Sequence, residues 1–79
     1  MDHNYELALY ELNEDNPELL EVIDVTTYSA CLERAKRLTS HLASKQFFEI
    51  FNDETLETYY MIKNGTVLTD FKQLLAALE

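Results

Sequence analysis

The apolar positions of this chain change period along its length, and that change predicts the elements. From Thr27 to Lys45 they recur at three and four: Tyr28, Cys31, Ala35, Leu38 and Leu42 form a stripe, with Leu32 at its edge. That spacing predicts an amphipathic α-helix. Arg34, Arg37, His41 and Lys45 form a second, polar stripe beside the first. Thr26, Thr27 and Ser29 are candidate caps for its first turn. Glu33 precedes Arg37 by four residues, the order that suits a surface ion pair.

Before the helix the period is closer to two. Tyr5 to Leu12 alternates imperfectly, with Leu, Glu and Ala also favouring helix; shortness and the turn-rich NEDNPE that follows favour a strand. Leu19 to Val25 is the better strand, because Val22, Ile23 and Val25 are β-branched. Strict alternation puts Leu19, Glu21, Ile23 and Val25 on one face, as at a sheet edge. Pro17 disfavours helix before it, so these runs form a hairpin with a connection longer than the tightest type. After the helix, Phe47 to Phe51 and Leu56 to Ile62 predict a second hairpin around Asn52, Asp53 and Glu54. Alternation there sets Glu57, Tyr59 and Met61 opposite Leu56, Thr58, Tyr60 and Ile62. Asn64-Gly65 suits a tight turn, after which Thr66 to Leu68 pairs briefly with the preceding strand. Thr69 then caps a last helix with an apolar face of Phe71, Leu74, Leu75 and Leu78.

The expected fold is therefore one small α+β domain in the order ββαββα. An antiparallel sheet of about four strands carries both helices on one face, and the other face stays partly open to water. Residues 1 to 4 are expected to be loose. A chain of 79 residues buries only about 60% of its unfolded surface, so its core is modest.

Charge narrows the function. Fifteen acids against six Lys and Arg give a net charge of −9. Residues 1 to 25 hold eight acids and no Lys or Arg, and residues 46 to 62 hold four more, again without one. Such a surface repels phosphate backbones and anionic lipids and attracts basic protein surfaces. Base stacking on Phe47 or Tyr59, with Arg34, Arg37 and Lys45 at phosphates, is outweighed by the surrounding acids. Negative charge that serves only solubility is the plain alternative.

Little here carries reaction chemistry. Cys31 is the only cysteine and lies on the apolar stripe, so no internal disulfide or cysteine metal cage can form. His41 is ten positions further on, about 15 Å along one helix, out of reach of the thiol. NEDN and NDE lack the alternating ligands, central Gly and closing Glu of a calcium loop. The single Gly excludes a Gly-rich phosphate loop. No cofactor or metal is expected. The acidic start lacks the pattern of a signal peptide, and no run approaches a transmembrane length, so a cytoplasmic location is expected.

Protein binding remains. The hairpin acids Glu11, Glu14, Asp15, Glu18, Glu21 and Asp24 are one candidate surface; Glu57, Tyr59 and Met61, on an open sheet face, are the other. In size, charge and lack of catalytic residues the chain resembles the small acidic proteins that phages and other mobile elements encode against host defence, including anti-CRISPR and anti-restriction proteins. That resemblance covers no motif and implies no particular site residue. It implies a non-enzymatic inhibitor that mimics nucleic acid with carboxylates and occupies a basic, nucleic-acid-handling surface in the host cytoplasm. The competing reading is a structural or adaptor module, with an edge strand or sheet face pairing two copies into a homodimer.

Overall fold

The computed structural model describes residues 4–79, so most of the expected loose start lies outside the described residues. The elements are β1 (Tyr5–Asn13), β2 (Asn16–Thr26), α1 (Tyr28–Leu38), a 3-10 turn (Thr39–His41), β3 (Gln46–Phe51), β4 (Thr58–Met61), β5 (Val67–Leu68) and α2 (Phe71–Leu78). The strands form one antiparallel sheet in the order β2-β1-β3-β4-β5. The α+β class and the two hairpins agree with the sequence pattern. The brief pairing after Asn64-Gly65 is the fifth strand: Tyr60 and Met61 pair with Leu68 and Val67, and Gly65 turns the chain at φ 86°.

The helices lie on opposite sides of the sheet, not on one. On the α1 side, Leu7 of β1, Phe48 and Ile50 of β3 and Met61 of β4 enclose Cys31 and Ala35, with Leu42 closing the end. On the α2 side, Leu12, Phe47 and Leu74 are buried, flanked by Tyr10, Tyr60, Ile62, Leu68 and Phe71. The cause is in the central strands. Phe47 and Phe48 are neighbours in sequence, so they point to opposite faces, and each face of β3 therefore needs cover. A sheet with one open face does not satisfy that demand.

The long helical pattern is also cut short. Thr27 caps α1, its hydroxyl accepting from the Ala30 N–H at 3.3 Å. The helix ends at Leu38, where the Thr39 hydroxyl donates to the Lys36 carbonyl at 2.9 Å. Such local side-chain bonds compete with helix propagation. Leu42 still reaches the core, but from extended backbone after the 3-10 turn. Lys45 leaves the basic stripe and donates to the Leu78 carbonyl at 3.0 Å, at the negative end of α2. Arg34 pairs with Asp24 at 3.1 Å. The cap of α2 is Asp70, not Thr69: its carboxylate accepts from the Lys72 N–H at 2.8 Å.

The β1–β2 connection is tighter than its sequence suggests. Glu14 and Asp15 alone make the turn, with φ of 53° and 67°, between the facing residues Asn13 and Asn16. Two successive left-handed residues match the right-handed twist of the strands. Pro17 belongs to β2, opposite Leu12. It is tolerated because β2 is an outer strand, where a missing N–H need not break a ladder.

Candidate functional site

The hairpin β1–β2 gathers the first group of acids. Its register contains two irregularities, between Leu7 and Ala8 and between Leu9 and Tyr10 of β1, where β2 carries an extra residue. These are β-bulges. They change which residues share a face. Glu18, Glu21 and Asp24 stand opposite Glu11, Leu9 and Leu7, whereas Leu19, Val22 and Val25 stand opposite Tyr10, Ala8 and Glu6. Leu7 and Leu9 belong to the α1 side and Tyr10 to the α2 side. The expected face of Leu19, Glu21, Ile23 and Val25 is thus replaced. One side of β2 carries a row of carboxylates and the other a row of apolar side chains. Ile23 turns into the α1 core.

The carboxylates are not equivalent. Glu14 and Asp15 are exposed at the turn. Glu11 and Glu18 face each other directly, a repulsive cross-strand pair, relieved by donors on either side. The Gln46 amide donates to Glu11 at 3.4 Å, and the Asn13 amide donates to Glu18 at 2.5 Å. Asp24 is more committed: besides Arg34, it accepts from the Val25 N–H at 2.9 Å. Glu21 lines a shallow cleft of about 170 Å³ with Leu9, Ile23, Leu38, His41 and Phe48.

Of the second predicted surface, Glu57 is exposed and Tyr59 half-buried, but Met61 is not at the surface. Met61 is 0% exposed and sits in the α1 core. Tyr59 packs against the same core, its ring centroid 4.8 Å from that of Tyr28. Glu57 holds this corner together, accepting from the hydroxyls of Tyr59 at 2.8 Å, Tyr5 at 3.1 Å and Thr55 at 3.0 Å. The Tyr59 hydroxyl, donating to that carboxylate, has its pKa pushed up to about 12. Strict alternation was right about the shared side of Glu57, Tyr59 and Met61; that side is the one α1 covers.

Cys31 is a buried thiol, close to the carbonyls of Tyr5 (3.5 Å) and Thr26 (4.0 Å). Burial pushes its pKa up, which lowers the thiolate fraction needed for reactivity. Among the described residues no cluster of three or more His, Cys, Asp or Glu could hold a metal ion, and no helix is long and apolar enough to cross a membrane.

Comparison with protein-family models, curated proteins and solved structures finds no match.

Two features were missed by sequence reasoning. The first is the apolar row of β2: Leu19, Val22 and Val25 are 53%, 46% and 55% exposed. Their spacing of three was the available signal, but it means a strand face only when bulges intervene. The second is Glu49. It lies on the central strand β3, opposite Ala8 on one side and Tyr60 on the other. Burial pushes its pKa above the ordinary 4.5, against the opposing effect of a hydrogen bond from Tyr10.

For an acid whose folded pKa is raised, protonation favours the folded state. That stability is fully present below the ordinary value and is lost as pH rises through the folded value. Glu49→Gln, which mimics the protonated form, should therefore melt at a higher temperature than the parent at pH 7. The difference should shrink as pH falls below about 4.5. Thermal unfolding followed by circular dichroism at pH 4 and pH 7 checks this; a lower melting temperature for the variant at pH 7 would contradict it.

Proposed function

We propose that the protein is a non-enzymatic binding protein whose β1–β2 hairpin occupies a basic, nucleic-acid-handling surface of another protein, in the manner of an anti-defence inhibitor. The observation that carries this is the arrangement of Glu11, Glu14, Asp15, Glu18 and Glu21 along one hairpin without a Lys or Arg on either strand. Glu18, Glu21 and Asp24 face β1 positions two residues apart, so they succeed one another at about 7 Å along the strand. That is close to two nucleotide steps of about 3.4 Å each along one strand of DNA. Asp24 contributes least, because Arg34 already neutralises it. The attraction of such a row speeds association and weakens as salt rises.

The test is displacement of a labelled DNA duplex from a heparin-purified fraction of basic nucleic-acid-binding proteins. Reversing Glu14, Asp15 and Glu18 to Lys should weaken displacement at least tenfold. The same charge change placed at Glu33, Asp53 and Glu79 should weaken it less than threefold. Equal losses from both variants would reduce the effect to net charge, and no loss from the first would end the proposal.

The outer position of β2 favours one second reading, in which two copies pair through this edge and the charge serves solubility. Sedimentation at high protein concentration separates them: a strictly monomeric species removes the second.

A further inference from the structure

The α2 side of the sheet is only half covered. α2 has eight residues and packs at the end formed by Leu12, Phe47, Tyr60 and Leu68. The remaining half lies over β1, β2 and the end of β3. It presents the exposed Leu19, Val22 and Val25 of β2, while Ala8 of β1 is buried between its neighbours and Phe51 of β3, across the strand from Glu6, is half-buried. Single exposed apolar residues are ordinary, but three in a row on one strand face form a patch.

Carboxylates occupy the same half. Glu6 and Glu49 rise from β1 and β3 between the apolar positions. At one end an open cleft of about 400 Å³ is lined by Asn4, Glu6, Val25, Phe51, Asp53 and Glu54. No Lys or Arg occurs on any of the five strands. A second copy would bring the same carboxylates against these, and like charges facing across an interface are costly. Pro17 and the two bulges also interrupt the outer edge of β2, which disfavours a long added strand.

We propose that this uncovered half-face docks an amphipathic basic helix of a partner protein, its apolar side on Leu19, Val22 and Val25 and its Lys or Arg residues at Glu6 and Glu49. The occupant would lie beside α2 and complete that layer. The apolar row spans β1 positions 6 to 10, about 14 Å along the strand. A helix of roughly nine residues covers that length. Glu49 and Glu6 lie on the same side of adjacent strands, and Tyr10 is the hydrogen-bond donor to Glu49, so a cation there would meet two neighbouring carboxylates. The proposal rests on the reading of the chain as a binder of basic proteins, but it uses the opposite side of β2 from the carboxylate row.

The probe is a synthetic twelve-residue helical peptide with leucines at positions 2, 5, 6 and 9 and lysines flanking them. Affinity is measured by fluorescence anisotropy at 150 mM salt, and the site by amide chemical shifts of the labelled protein. The triple variant Leu19→Thr, Val22→Thr and Val25→Thr keeps folding because the positions are exposed and Thr suits a strand. It should lose at least tenfold in affinity, and Glu49→Gln at least fivefold. Reversal of the turn residues Glu14 and Asp15 to Lys should change affinity less than threefold, since they lie at least three strand positions, about 10 Å, beyond the Tyr10–Leu19 pair and screening acts within about 8 Å. Shifts should centre on Ala8, Val22 and Glu49. Unchanged affinity in the Thr variant overturns the inference. So does binding that follows the turn acids instead, an outcome that leaves the hairpin proposal standing. A dimer of the unliganded protein that the Thr variant dissociates would make a second copy the occupant and overturn it as well. Failure of DNA displacement by the parent protein, with peptide binding intact, would instead remove the hairpin proposal alone.

Discussion

Phe47→Ala should lower the free energy of unfolding by about 3–5 kcal/mol. Phe47 is 1% exposed and is the largest side chain buried beneath α2. Its ring stacks on Tyr10 with centroids 5.7 Å apart and meets Tyr60 edge-on at 5.8 Å. Removing it takes away the floor on which Leu74 rests, and α2 has only eight residues with which to compensate. An isolated helix of that length is not stable in water. Small domains hold a total stability of about 0.05–0.15 kcal/mol per residue, so this one substitution removes a large share of it. Urea unfolding followed by circular dichroism measures the loss. A variant within about 1 kcal/mol of the parent would mean that α2 does not depend on this contact.

Met61→Ala should cost about 2–5 kcal/mol for the same class of reason on the other side of the sheet. Met61 is 0% exposed, paired with Phe48 across the β3–β4 ladder and enclosed with Cys31 and Ala35 of α1. The measurement separates two roles that one residue type can play. A methionine displayed for partner contact would be nearly neutral to stability when shortened, since exposed substitutions fall within about 0.5 kcal/mol. A large loss in urea unfolding is expected here, and a neutral result would return Met61 to the surface where its alternation with Tyr59 first suggested it.

Those two residues also mark the limit of what a pattern can say. Alternation correctly grouped Glu57, Tyr59 and Met61, but a period of two states only that they share a side. Which side is covered depends on where α1 comes to rest. The adjacent pair Phe47-Phe48 held the missing information. Two bulky side chains on opposite faces of one central strand require cover on both, and α2 supplies the second. In the hairpin the acids were legible as a group because β1 and β2 are joined by their turn. Their separation from the apolar row was not. Bulges are set by which residue the core accepts, and here Ile23 enters the α1 core while Val22 and Val25 remain outside. Pro17 pointed toward a longer loop because its effect on helix is local, whereas its acceptance in β2 depends on that strand lying at the edge.

By itself the sequence indicated the two hairpins, the two helices, the first part of the α1 stripe, the Asn64-Gly65 turn and the one-sided charge of residues 1 to 25, because each follows from neighbours within a few positions. Tertiary structure alone decided that the helices take opposite sides, that Met61 is core, and that β2 is an outer strand with carboxylates on one side and exposed apolar groups on the other. Those outcomes depend on contacts between residues far apart in the chain, where local periodicity assigns a face but not the partner that covers it.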